Sequence, residues 1–212
     1  MAEYKTPATM KWLQWAQQIQ SISQAGLTYA KDPFDKGRYE ELLQLSAEII
    51  EQHSEHEMQS VLQLYTQEKG YQTPKVDVRG VVFHEGQILL VKERSDGRWT
   101  LPGGYCDIGY SPKENVVKEL YEESGYETVP VRLLAVLDKF KHPHPAEIFQ
   151  YYKLFIECEI VGGNPSTSME TSDVQFFSRH ELPPLSLGRV TPSQVDLLFQ
   201  YENAPNLATW ID

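Results

Sequence analysis

Three glutamates, Glu119, Glu122 and Glu123, stand at i, i+3 and i+4 in the stretch KELYEESGY that covers 118–126. On a helix that spacing projects all three carboxylates from one side, within reach of one another. Like charges on one turn destabilise an isolated helix by a few tenths of a kcal/mol per pair, and most such clusters are solvated faces. Two neighbours argue for chemistry instead. A Pro-Gly-Gly turn at 102–104 precedes the segment, and glycine lets backbone approach a ligand closely. Gly125 stops the helix directly after the triad. Oxygen donors at this spacing suit a hard cation such as Mg²⁺, which keeps several waters and bridges to substrate phosphates.

The helix carrying the triad is expected from about Ser111 to Ser124. Ser111 is the N-cap, Pro112 takes the first helical position and Glu114 completes a capping box. Val116, Val117 and Leu120 form its buried side. Around it the pattern is of strands: Val76–Phe83 and Gln87–Lys92, read as a hairpin about His84-Glu-Gly, then a short strand at Trp99 running into the glycine turn. Further strands are expected at Val131–Phe140, Gln150–Ile160 and Val174–Ser178, and a last helix from Pro192 to Tyr201. Strands on both sides of a helix give an α/β layered domain. Residues 1–70 read differently. Trp12, Trp15, Ala16, Ile19 and Ile22 form a helical stripe from about Thr9 that Gly26 stops, followed by a loop to Gly37. Helices at Arg38–His53 and about Glu57–Lys69 follow. Three short helices bury little apolar surface alone, so they must pack on the next domain or a second subunit.

An apolar content of 41% supports a real core and argues against disorder. No run of 18 apolar residues predicts a membrane span, and the start MAEYKTPATMKWLQWAQQ lacks the pattern of a secretory signal, so a cytoplasmic protein is expected. Cys106 and Cys158 form neither a disulfide framework nor a zinc motif. The net charge of −11 argues against bulk attraction to nucleic acid.

The stretch GYCDIGYSPKENVVKELYEESGY at 104–126 resembles the Nudix box, with Lys118 where the family has arginine and Tyr110 where it has glutamate. The likeness covers about 75–205. The Gly-Leu-Thr-Tyr segment at 26–29, Asp77-Val-Arg-Gly, Asp138-Lys-Phe-Lys-His and Phe176-Phe-x-x-x-Glu-Leu-Pro-Pro-Leu-Ser look like a bacterial subgroup. That subgroup is similar to CDP-choline pyrophosphatases that also hydrolyse ADP-ribose. The resemblance implies a Nudix-type α/β/α sandwich with a mixed sheet at 75–205, preceded by a small all-α domain at 1–70 that dimerises or covers substrate. It also implies a homodimer.

The implied reaction is Mg²⁺-dependent hydrolysis of a nucleoside diphosphate linked to another group, with Mn²⁺ as the alternative ion. Metal ligands would be Glu119, Glu122, Glu123 and the Gly103 carbonyl. Glu122, Glu123 and the loop residue Glu170 would be the catalytic carboxylates, with Asp173 a weaker candidate base; Glu170 is equally readable as an ordinary surface charge. Arg79, Arg94 and Lys139 are candidate anion contacts. His142 and His144, between prolines, read as solvent-exposed or lid residues. Three other functions stay open: triphosphate hydrolysis, RNA-end hydrolysis, and a non-catalytic nucleotide-binding regulator. Against the last stand the retained carboxylates and an N-terminal region rich in glutamate (Glu40, Glu41, Glu48, Glu51, Glu55, Glu57) rather than basic residues.

Overall fold

The computed structural model describes residues 10–67 and 70–212. Residues 1–74 with 146–150 form one compact unit; residues 75–145 with 151–212 form the other.

The first unit holds helices α1 (Lys11–Tyr29), α2 (Pro33–His53) and α3 (Met58–Gln67). The expected limits at Thr9 and Lys69 lie outside the described residues. Helix α1 does not stop at Gly26 but runs through it to Tyr29. The glycine is there for packing, because a Cβ at Gly26 would strike the ring of Tyr39 on α2. Nor is 33–37 a loop. Asp32 caps α2 by accepting from the amides of Phe34 and Asp35, and Pro33 sits in the first turn, where its missing N–H costs nothing. Ala16, Ala47, Ile50, Val61 and Tyr65 make the core of this unit. Ser46 ties it together, donating to the Ala16 carbonyl at 2.7 Å and sharing a 3.0 Å hydrogen bond with the Tyr65 hydroxyl.

The second unit is built on two four-stranded sheets. Strand β1 (Lys75–Val81) lies parallel to β6 (Tyr151–Gly163), which is antiparallel to β5 (Tyr126–Asp138); β8 (Trp210–Ile211) closes that mixed sheet parallel to β5. The other sheet is antiparallel: β2 (Phe83–His84), β3 (Gln87–Glu93), β4 (Trp99–Thr100) and β7 (Thr171–Ser178). The expected hairpin is therefore mostly absent. Only Phe83–His84 pairs back on β3, and the chain crosses between sheets at Val82. The reason is burial. Val78, Arg79, Gly80 and Val81 are all buried, and a strand covered on both faces suits parallel pairing with β6, its other edge being met by the 102–106 segment. Strand β5 begins at Tyr126, five residues before its expected start, and a 3-10 turn at Lys139–Lys141 follows it.

Helix α4 (Pro112–Ser124) packs through Val116 and Leu120 on Val78, Val82, Leu89, Ile156 and Cys158. Burying a side chain such as Leu120 contributes roughly 1.5–3 kcal/mol. Helix and sheet approach so closely that a Cβ on Gly80 would meet the Leu120 side chain at 2.6 Å. On the other core, α5 (Pro192–Leu198) packs Val195 and Leu198 with Val81, Ile88, Leu90, Leu134 and Phe155.

Candidate active site

Helix α4 is fixed at both ends by its own sequence. Ser111 accepts from the Glu114 amide at 3.3 Å while Glu114 accepts from the Ser111 amide at 2.7 Å, a complete capping box worth about 1 kcal/mol. At the far end Gly125 adopts φ 77°, and its amide reaches the Tyr121 carbonyl. A side chain there would strike Ser166 and the Asn164 carbonyl, so glycine is required twice over. The last turn is thereby aimed at the glycine turn that leads away from β4.

Glu123 is 5% exposed, and its Oε2 accepts the Gly103 amide at 2.8 Å. Gly103 has φ 138°, and a Cβ on it would collide with the Val78 carbonyl. Burial pushes the Glu123 carboxyl up to about 8, against the opposing pull of Arg79 and the Gly103 N–H. Glu119 is half-buried, with Oε2 3.2 Å from where a Cβ of Gly104 would sit; desolvation raises its pKa too. Glu122 is exposed, 3.6 Å from Lys118 Nζ. Glu170 directly precedes β7, exposed, with its carbonyl accepting from the Arg94 amide at 2.8 Å. Its charge reaches Glu119 and Glu93, so the loop acid belongs to the same field as the helix acids. Asp173 is already on β7, accepting from the Val174 amide and Gln175.

The cationic candidates separate. Arg79 is 4% exposed and bidentate on Asp77, with Nε and Nη2 at 2.8 and 2.9 Å, and Nη1 on the Leu101 carbonyl. Lys153, one strand over in register with Asp77, donates to the same carboxylate at 2.9 Å. Two cations on one buried acid hold Asp77 down at about 2, against the opposing cost of burial, while burial lowers Lys153 to about 8. Arg79 thus acts on the clustered carboxylates from an internal position, as a fixed charge beside Glu123 and Glu93. Arg94 is exposed, with Nε 3.2 Å from the Ser168 carbonyl. Lys139 is buried, its ammonium 5.0 Å from the centre of the Tyr151 ring. His142 and His144 are not solvent-exposed. His142 Nε2 lies 3.0 Å from Asp212, and His144 is 1% exposed, with Nδ1 2.7 Å from the Leu187 carbonyl. Proline-flanked histidines read as a free loop, but this one is packed.

Reading the sequence missed Glu93. It ends β3, is 5% exposed, and is bound at 2.9 Å by Arg189 Nε. Burial raises its pKa, against Arg189 and Arg79. A strand-terminal acid before a turn carries no signal by itself; strand alternation puts Glu93 on the same buried face as Val91, with the half-exposed Lys92 between them. It also missed Asp77, although Asp77 and Arg79 at i and i+2 on a strand share a face.

Among the described residues, no three acidic, histidine or cysteine side chains already close around one point. The carboxylates are neighbours, individually held by Gly103 and Lys118. The donor set still fits a hard divalent cation. It is all oxygen, and its most buried member, Glu123, is an acid whose ionised form the Gly103 N–H and Arg79 offset only in part.

A model of the NUDIX domain matches residues 73–199. The chain belongs to the Nudix family. A second model, the UDP-X-like N-terminal oligomerisation domain, matches 10–65. This Nudix hydrolase is 54% identical over 202 residues to the Bacillus subtilis protein YjhB, whose name provisionally makes it an ADP-ribose pyrophosphatase; the match covers 95% of this chain and 97% of that one. The crystal structure of a UDP-X diphosphatase superposes with TM-score 0.63 at 33% identity, over 98% of this chain and all of that one. An ADP-ribose pyrophosphatase from Streptococcus suis gives 0.61 at 42% identity, over 66% of this chain and all of that one. The chain is accordingly a pyrophosphohydrolase, and Nudix hydrolases generally use a divalent metal. No described helix is long and apolar enough to cross a membrane.

Proposed function

We propose that the protein hydrolyses the pyrophosphate bond of a nucleoside diphosphate joined to another group, with Mg²⁺ held by Glu119, Glu122, Glu123 and the Gly103 carbonyl. The observation that carries this reading is the buried Glu123 carboxylate fixed on the Gly103 amide, beside Glu119, Glu93 and the internal charge of Arg79. The cation, when bound, neutralises the pyrophosphate and lowers the pKa of the attacking water. Glu170 takes the proton of that water, and the bridging oxygen leaves on the other phosphate. Arg94, the more exposed cation, contacts substrate phosphate, and Lys139 does so from the β5 end. Glu93, tethered by Arg189, holds the negative field around Arg79.

The relatives' names favour UDP-linked compounds and ADP-ribose as the substrate class, with CDP-choline a further member to be tested. Incubation with Mg²⁺ and UDP-glucose, ADP-ribose, CDP-choline and a nucleoside triphosphate, with products separated, tests it. Release of UMP, AMP or CMP from a diphosphate-linked compound supports the reading; release of pyrophosphate from the triphosphate alone contradicts it. The helical unit is proposed to form a homodimer. Trp15, Ile22 and Tyr29 recur every seven residues on α1, each more than half exposed, and the matching domain model is named for oligomerisation. A cytoplasmic location is proposed with it.

A further inference from the structure

The Nudix resemblance leaves one pair of residues unexplained: Tyr110 stands where an acid is usual, and Lys118 stands where arginine is usual. The structure shows where the acid has gone. Lys118 Nζ donates to Asp107 Oδ2 at 2.8 Å and lies 3.6 Å from Glu122 Oε2. Asp107 is itself placed by α4, since its amide donates to Asn115 Oδ1 at 2.9 Å. Asn115 is fully buried, and its Nδ2 donates at 3.2 Å to the carbonyls of both Tyr110 and Ser111. The loop at 104–110 is thus fastened to the helix at two points, one of them the ammonium that also faces Glu122. Tyr110 is exposed and takes no part through its side chain.

We propose that Asp107 and Lys118 are a positioning pair: Asp107 anchors the ammonium of Lys118, which in turn directs the Glu122 carboxylate toward the cation site. The pair does the work of an acid at 110 from a place three residues earlier in the chain. This rests on Glu122 being a metal ligand. Without Asp107 the Lys118 side chain is free to pair with Glu122 directly or to swing into water, and in both cases Glu122 loses its fixed orientation. Partners of metal-binding carboxylates matter through orientation as well as through charge.

The sign of one substitution separates this from simple electrostatics. Removing a positive charge near a cation site strengthens cation binding by Coulomb attraction alone. Positioning requires the reverse. Calorimetric titration of the wild type, Lys118→Met, Asp107→Asn and the double variant with Mn²⁺, without substrate, measures it directly. Lys118→Met is expected to weaken binding about three- to tenfold, less than for fully buried partners because the pair is partly exposed. Asp107→Asn is expected to weaken it comparably, and the double variant to be no worse than Lys118→Met, because both act through one link. Lys118→Arg, which keeps a cation, is expected to recover part of the loss. Tighter binding by Lys118→Met, or a double variant whose loss equals the product of the singles, overturns the proposal while leaving the metal site intact. A wild type that binds no Mn²⁺ overturns the metal site itself. Thermal melts of each variant confirm that folded protein is compared.

Discussion

Replacing Asp77 by asparagine removes the one carboxylate that serves two buried cations, Arg79 and Lys153. Breaking a buried ion pair from one side costs about 3–5 kcal/mol, because the surviving charge stays desolvated. Here two charges are stranded, which places the loss at the upper end. Lys153 offers an escape, since it can lose its proton. Its pKa is already lowered to about 8 by burial, and Asp77 is what opposes that fall. Without Asp77 the value drops further, so in a window directly below pH 8 the variant's Lys153 is neutral while the wild type's is charged. In that window the folded variant binds one proton fewer than its unfolded chain, and the folded wild type does not. The gap in stability therefore narrows as pH rises, by up to about 1.4 kcal/mol per unit, and levels off above pH 8 where both lysines are neutral. Urea unfolding of both proteins at pH 6, 7, 8 and 9 measures this. A loss below 1 kcal/mol, or a gap that does not change between pH 6 and 8, would refute the account of the buried triad.

Two glycines give opposite outcomes under the same substitution. Gly103→Ala is expected to cost at least about 2 kcal/mol and to abolish most activity, because φ 138° and the Val78 carbonyl leave no room for a Cβ. Gly37→Ala, inside α2 with open space around it, is expected to stabilise by about 0.5–1 kcal/mol; thermal melts check both. Burial holds His144 at about 3, well below an ordinary histidine, so the folded state resists protonation that the unfolded chain accepts. Its contribution is intact above pH 6.5 and is lost as pH falls toward 3, by about 2 kcal/mol at pH 5. His144→Phe should flatten that part of the stability–pH curve, and an unchanged slope would exclude His144 as its source. Glu170→Gln is expected to lower kcat by roughly two to four powers of ten with the Mg²⁺ half-saturation unchanged; unchanged kcat would move the base to another acid.

What the sequence made legible was local. The capping box at Ser111 and Glu114, the stop at Gly125 and the shared face of Glu119, Glu122 and Glu123 all follow from spacing along one helix, and each is present. The start of α2 is not legible, because Asp32-Pro33 and Lys36-Gly37 both carry turn chemistry and read as a loop, whereas in the structure Asp32 is the N-cap, Pro33 lies in the first turn and Gly37 is inside the helix. The helix tolerates that glycine, whose cost of about 1 kcal/mol the rest of α2 outweighs. Gly26 misled for a different reason: its cause lies on α2, in the ring of Tyr39, and local spacing along α1 carries no trace of it. The non-local facts were not available. Nothing near β1 states that its partner is β6, seventy-six residues on at Asp77 and Lys153, so neither the lost hairpin nor the Asp77–Lys153 bond could be read. Arg79 reads from sequence as a candidate anion contact, and in the structure its guanidinium is held by Asp77. Its burial and its grip on Asp77 depend on the sheet.

The reading as a whole turns on whether the acids of α4 drive metal-dependent cleavage of a pyrophosphate bond. The direct measurement is kcat/KM for the best diphosphate-linked substrate at saturating Mg²⁺, in the wild type and in Glu123→Gln, with melting temperatures recorded for both. A folded Glu123→Gln protein that has lost at least two powers of ten, alongside a wild type that is silent in EDTA, is the expected result. Comparable turnover by the two proteins, or wild-type turnover that persists in EDTA, would contradict it.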